Sequence, residues 1–146
     1  MAEPRYNAAT NRMVRTDDQG DIQHIRTRFT VAQINAGATL LPAVPGFAYR
    51  LVDAALIAVG GAASGATDVR ILGTRAAGSV ALLVAAIAAL TQSALLRAGA
   101  ANAVILADGA SFTPLDANTA VTVGKTGGTL ATATHVDVIA SYVLEG

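Results

Sequence analysis

The chain has 146 residues, ten basic against ten acidic side chains, no Cys and no Trp. That length predicts a single domain. Zero formal net charge leaves no electrostatic footprint for gripping nucleic acid, and the lack of Cys excludes disulfides and thiolate metal sites.

Residues 1–28 hold nine of the twenty formal charges, whereas the following 118 hold eleven charges and 33 of the 36 Leu, Ile and Val. That step predicts a polar N-terminal arm, 1–28, on one β domain, 29–146. Met1–Asn7 has no apolar run behind Glu3, Pro4 and Arg5, so it does not read as a signal peptide. Within the arm, arginines mix with Glu3, Asp17, Asp18 and Asp21, which argues against a nucleic-acid tail. The functional reading is an arm that docks on partner subunits through Arg–carboxylate pairs and apolar contacts. Its candidate contact residues are Arg5, Tyr6, Arg12, Met13, Val14, Arg15, Arg26 and Arg28; a plain linker is the bland alternative. Asp17-Asp18-Gln19-Gly20-Asp21 has the acids of a calcium loop. Counted from Asp17, however, the glycine position falls on Ile22 and the bidentate Glu position on Arg28, so a solvated turn is expected.

Arg26–Ala32 alternates as a half-buried strand, with Thr27, Phe29 and Val31 opposite Arg26, Arg28 and Thr30. Pro42 and Pro45 then exclude both a helix and a central strand, leaving an edge strand or a crossing loop. Phe47–Val59 is the next strand, with a bulge or bend expected where alternation slips near Asp53. Gly60–Gly65 reads as an open turn. Thr67–Gly73 alternates again, Val69 and Ile71 inward and Asp68 and Arg70 outward, before a small-residue loop at Arg75–Ser79.

Val80–Leu96 is Ala-rich and helix-prone by propensity, yet period 2 also fits, and two strands broken near Ala89–Ser93 are expected. Its 17 residues fall short of the ~20 a bilayer requires. Ala103–Ala107 and Thr119–Val123 read as strands, Asp108–Ser111 as a turn, Phe112–Asp116 as a loop and Lys125–Gly128 as a hairpin-like turn. His135–Leu144 is the clearest strand, with Val136, Val138, Ala140, Tyr142 and Leu144 sharing one face. Short strands at this spacing predict an all-β fold, an antiparallel β-sandwich of jelly-roll type with an extended polar N-terminal arm.

Chemistry is hard to find. Gly124-Lys125-Thr126 ends like a P-loop, but Thr119 stands where the first Gly belongs and Gly127-Gly128 follows in place of a helix. His24 and His135 are the only histidines, too few for a three-histidine zinc site. Ser111, His135 and Asp108 can be drawn as a triad, but no Gly-x-Ser-x-Gly elbow exists. Asp108 and Asp116 form no convincing glycosidase pair without aromatic platforms. The expectation is a non-enzyme with no cofactor, no small-molecule substrate, no nucleic acid and no membrane partner. Because 33 hydrophobic residues are Ala, each burying little area, self-association is the expected route to more burial.

Several phrases carry a resemblance. They are Asn35-Ala-Gly-Ala-Thr-Leu-Leu-Pro-Ala-Val-Pro-Gly46 leading into Tyr49-Arg-Leu-Val-Asp53, Ala89-Leu-Thr-Gln-Ser-Ala-Leu-Leu-Arg-Ala-Gly99, Ala107-Asp-Gly-Ala-Ser-Phe112, and Thr129-Leu-Ala-Thr-Ala-Thr-His-Val-Asp137. Through them Phe29–Leu144 resembles small β-rich structural proteins of tailed bacteriophages, in particular capsid decoration (cement) proteins. The resemblance implies a homotrimer on the virion capsid surface, bound to the major capsid protein between capsomers, with no catalytic residue. Two other expectations compete: a tail, collar or fibre component, and a carbohydrate- or receptor-binding module exposing Phe47, Tyr49 and Phe112.

Overall fold

Period-2 patterning of β-formers governs most of the chain. The computed structural model describes residues 4–7, 12–15, 20–105 and 107–146, without the side chains of 4–7, 12–15 and 107–109. It holds strands β1 (Pro4–Asn7), β2 (Arg12–Arg15), β3 (Gln23–Thr30), β4 (Ala38–Leu41), β5 (Ala48–Val59) and β6 (Ser64–Arg75). They are followed by β7 (Gly78–Ala86), β8 (Leu95–Arg97), β9 (Ala103–Val104), β10 (Val121–Ala131) and β11 (His135–Glu145). One short helix, α1 (Val31–Ala36), and 3-10 turns at Ile87–Ala89 and Ala107–Phe112 complete the described elements.

The strands form two antiparallel sheets packed against each other as a β-sandwich, in the orders β4-β10-β6-β7-β9 and β3-β11-β5-β8. Pairing is nested along the chain: β3 with β11, β4 with β10, β5 with β8 and β6 with β7. Two further pairings, β11 with β5 and β10 with β6, zip the doubled ribbon into sheets. β1 and β2 pair with each other as a hairpin, Tyr6 opposite Met13 and Arg5 opposite Val14.

Inward side chains from both sheets meet in the core. Val136, Val138, Ala140, Tyr142 and Leu144 are all buried, as expected for β11, in one core cluster with Val69, Ile71, Leu83 and Val123. Tyr142 meets Tyr49 edge to face, with ring centroids 5.5 Å apart, the favoured offset for two aromatic quadrupoles. The Tyr49 hydroxyl donates to the Pro42 carbonyl, so the proline-broken crossing loop is pinned to the core. Its burial beside Tyr142 raises the phenol's pKa.

Several sequence expectations are met. β4 is an edge strand that stops at Leu41, before Pro42. The bulge in β5 falls at Val52, where pairing slips from Ser141–Asp53 to Tyr142–Leu51. Val80–Leu96 contributes β7, a 3-10 turn and the start of β8, and no helix among the described residues is long and apolar enough to cross a membrane. That last fact says nothing of β-barrels.

Others need correction. Residues 23–28, assigned to the arm, form most of β3. The charge step misled because Arg26 and Arg28 occupy outward positions of an edge strand, where charge is compatible with a strand. Val31 and Ala32 begin α1 instead of ending β3, because Thr30 caps the helix: its hydroxyl accepts from the Gln33 amide while the Gln33 side chain accepts from the Thr30 amide. Asn35 then locks α1 to β10, donating to the Leu130 carbonyl and accepting from the Leu130 amide. β9 is only two residues long, and the next described element is a 3-10 turn from Ala107.

Lys125–Gly128 is no hairpin turn but lies inside β10. Pairing with β6 slips at Gly127, whose φ is +76°, so the glycines serve a bulge and a close strand approach. A Cβ on Gly128 would stand 2.5 Å from the Gly65 carbonyl oxygen. The Arg75–Ser79 loop, conversely, is tighter than expected. Ala76 and Ala77 join β6 to β7 with φ of 51° and 60°, the positive values a primed hairpin turn demands. Asp116 accepts from both their amides, at 3.0 and 2.9 Å, and holds a conformation that Ala adopts only at some cost.

Candidate functional site

The outward face of the four-stranded sheet carries most of the organised polar chemistry. Register aligns three rows across it: Arg28–Asp137–Ile57–Leu95, Arg26–Ile139–Ala55–Arg97, and His24–Ser141–Asp53. Each follows from alternation, since β11 residues with odd numbers point away from the core.

Asp137 is the centre of this face. Its residue is only 1% exposed, yet it carries a carboxylate on the solvent side of the sheet, because two arginines lie over it. Arg28 donates from Nε to Oδ1 at 2.7 Å and from Nη2 to Oδ2 at 3.1 Å, and Arg26 donates from Nη2 to Oδ2 at 2.6 Å. The arginine side chains remain 61% and 54% exposed, so they screen the acid while keeping their own contact with water. The Arg28 hydrogen bonds, opposed by burial and helped by Arg26, hold the Asp137 carboxyl down to about 2.

Lower affinity for protons in the folded state means stability that is present above the unfolded carboxyl range, near pH 4, and is lost as pH falls through about 2. We expect the chain to lose on the order of 1–2 kcal/mol over that window through this residue. Denaturant midpoints measured across it should show a shallower acid slope in Asp137→Asn than in the wild type; identical slopes would refute the role given to Asp137.

Two further pairs frame the face. Arg97 donates Nε and Nη2 to Asp53 Oδ2, at 3.1 and 2.6 Å, and Asp53 Oδ1 accepts from the Ala54 amide beside the bulge. Arg50 donates to Glu145 at 2.8 Å. Both pairs are substantially exposed, so each contributes little to folding and serves mainly to pattern the surface. His24 meets the Ser141 hydroxyl at 2.8 Å. Between the pairs stand apolar atoms of Ile57, Ile139 and Ala55, with Leu95 59% exposed at the edge. A sheet face bearing apolar residues ringed by charged pairs suits contact with another protein.

Of the candidate contact residues, Arg26 and Arg28 are therefore brought together, on an acid of their own chain. Arg5 and Tyr6 lie in β1 and Arg12, Met13, Val14 and Arg15 in β2, with side chains outside the described residues, as is the Asp17–Gln19 part of the acidic turn. Sequence reading missed Asp137, Asp53 and Arg97; the signal available was a lone Asp in the outward register of an otherwise apolar strand.

Other candidate chemistry is dispersed. Lys125 donates to the Gly127 carbonyl within β10, so Gly124–Thr126 forms strand and not a phosphate loop. Ser111 is fully buried, whereas His135 is on the outer side of β11 against the Thr134 hydroxyl. Asp108 has its side chain outside the described residues. Among the described residues no group of three or more His, Asp or Glu could hold a metal ion. Phe47 and Tyr49 are core residues, 4% and 1% exposed, and Phe112 is half-buried, so the exposed aromatic cluster expected of a sugar-binding module does not form. Comparison with known protein families, curated proteins and solved structures found no match to the chain.

Proposed function

We propose that the chain is a virion structural protein of a tailed bacteriophage, a capsid decoration or cement protein that stiffens the head by binding the major capsid protein between capsomers. In this reading it acts as a homotrimer on the capsid surface, built on a jelly roll and fastened by its N-terminal arm. The observation that carries the reading is the nested pairing of β3 with β11, β4 with β10, β5 with β8 and β6 with β7. Nested pairing of this kind is what a jelly-roll winding would produce, and that architecture recurs in viral capsid domains. The phrases resembling decoration proteins and the charge-ringed outer face give further support.

Physically, each copy contributes a modest contact. Roughly 1,000 Å² is enough for a specific interface, and a shell that repeats it many times gains far more than one copy does.

The test uses purified heads that lack the protein. Added full-length chain should saturate them and raise the temperature at which they rupture. A chain of residues 20–146 should keep the circular dichroism of a β protein yet fail to attach. Heads left bare by the full-length chain would overturn the decoration role, and equal attachment of the shortened chain would overturn the arm's part in it.

A further inference from the structure

We infer that the free edge of β3 is a docking site for an extended acidic segment of a partner protein, which adds to the four-stranded sheet as a fifth strand. This goes beyond the reading above and stands without it, since it concerns the chemistry the edge accepts, whatever body supplies the segment.

The backbone geometry comes first. β3 is the end strand of its sheet, and among the described residues no strand pairs with its outer side. The Val31 amide donates to the Thr134 carbonyl at 3.4 Å, continuing the Thr30–His135 register. In an antiparallel ladder hydrogen-bonded and non-bonded pairs alternate. Phe29, Thr27 and Ile25 therefore bond to β11, while His24, Arg26, Arg28 and Thr30 turn their amides and carbonyls to the free side. Thr30 fits that alternation, because its amide is already occupied by the Gln33 side chain at 2.8 Å. What remains is a short run at His24, Arg26 and Arg28, bounded at one end by α1. Such a run is a template for a strand from another chain.

The side chains then select that strand. The same three residues point outward from the sheet, placing two guanidiniums and an imidazole at alternate positions along the open edge. Arg26 gives one N–H and Arg28 two to Asp137, out of five on each guanidinium. One carboxylate against two arginines leaves an unbalanced positive charge beside the edge. A segment with Asp or Glu at every second position would set its acids opposite Arg26 and Arg28, where cross-strand opposite charges are favourable. Its intervening residues would lie over the half-buried Ile25 and Thr27, which favours apolar side chains there.

Charge also argues against a second copy of this chain at the edge. Residues directly opposite in antiparallel strands share a sheet face, so self-pairing would set Arg26 against Arg28 or against itself.

The test uses the full-length protein and three blocked eight-residue peptides: alternating Glu and Val, the same with Lys for Glu, and the Glu peptide with a central Pro. At low salt the Glu peptide should bind at least ~tenfold more tightly than the Lys peptide, a ratio that ~1.4 kcal/mol supplies. It should slow amide hydrogen exchange at Arg26 and Arg28, and the Pro peptide should lose binding because it cannot complete the ladder. Arg26→Gln with Arg28→Gln should erase the preference for Glu over Lys. Equal binding of the Lys peptide, binding that leaves those two amides unprotected, or no binding of the Glu peptide would each overturn the proposal. None of these outcomes bears on attachment to heads, which is read separately.

Discussion

Val138→Asp should abolish the cooperative thermal transition of the domain. Val138 is fully buried at the middle of β11, the strand that pairs with both β3 and β5. Its face-sharing neighbours Val136 and Ala140 are also fully buried, so a carboxylate there would meet only packed apolar atoms. Burying an unpaired charge costs several kcal/mol even when the group neutralises itself by taking a proton. Stabilities of single domains are only ~5–15 kcal/mol, so one such change consumes much of the margin. Circular dichroism during heating should show no sharp transition. A melting curve like that of the wild type would refute the inward assignment of this face.

Gly65→Ala should be nearly as damaging, although it adds one methyl group at an exposed position. Gly65, the second residue of β6, has φ of +83°, a backbone conformation that L side chains rarely adopt. Its new Cβ would also run into the Thr129 carbonyl oxygen of the neighbouring strand β10. That obstacle is backbone, which cannot swing aside as a side-chain tip does. Strain and steric conflict together predict a loss of about 3 kcal/mol or more, lowering Tm by ~10 °C. Gly20→Ala is the informative contrast. Its φ is +89°, but among the described residues beyond its chain neighbours no atom lies within 4 Å of the added Cβ, so the conformational penalty of about 1 kcal/mol is the expected cost. Equal Tm changes for the two variants would refute the close approach of β6 and β10 at this bulge.

Period-2 patterning made the sandwich legible. β11, β6 and the two strands on either side of Ala89–Ser93 could be placed because their alternation sets one face against a core. Both options left open by the proline pair are present, an edge strand β4 ending at Leu41 and a loop from Pro42, and the slip in alternation near Asp53 located the bulge at Val52. One local signal was passed over, and the other misses were decided by distant partners. Thr30 and Gln33 form a capping box, a local signal strong enough to end β3 at Thr30, two residues before the expected Ala32. Lys125–Gly128 looked like a turn because Gly at two successive positions usually punctuates structure. Here the glycines answer the approach of Gly65 and Thr67 on another strand, which no local window contains.

The polar face was half legible. Arg26 and Arg28 stood out as charges, but their acid is 109 residues from Arg28 in sequence. Composition assigned them to a tail, although the alternation of Arg26–Ala32 already read as a strand with both arginines outward, and pairing with β11 puts them in the sheet. Asp137 attracted no notice because a single Asp on an outward register is ordinary. Only the two guanidiniums above it make it a buried anion.

The most direct measurement of the central claim is the number of copies of this chain on purified phage particles, counted by quantitative mass spectrometry against the major capsid protein. A decoration protein seated at repeated points of a shell should be present on the order of hundreds of copies, in a fixed ratio to the capsid subunit. A count of a few to a few dozen would place the chain in a tail, collar or fibre, and its absence from particles would contradict the account altogether.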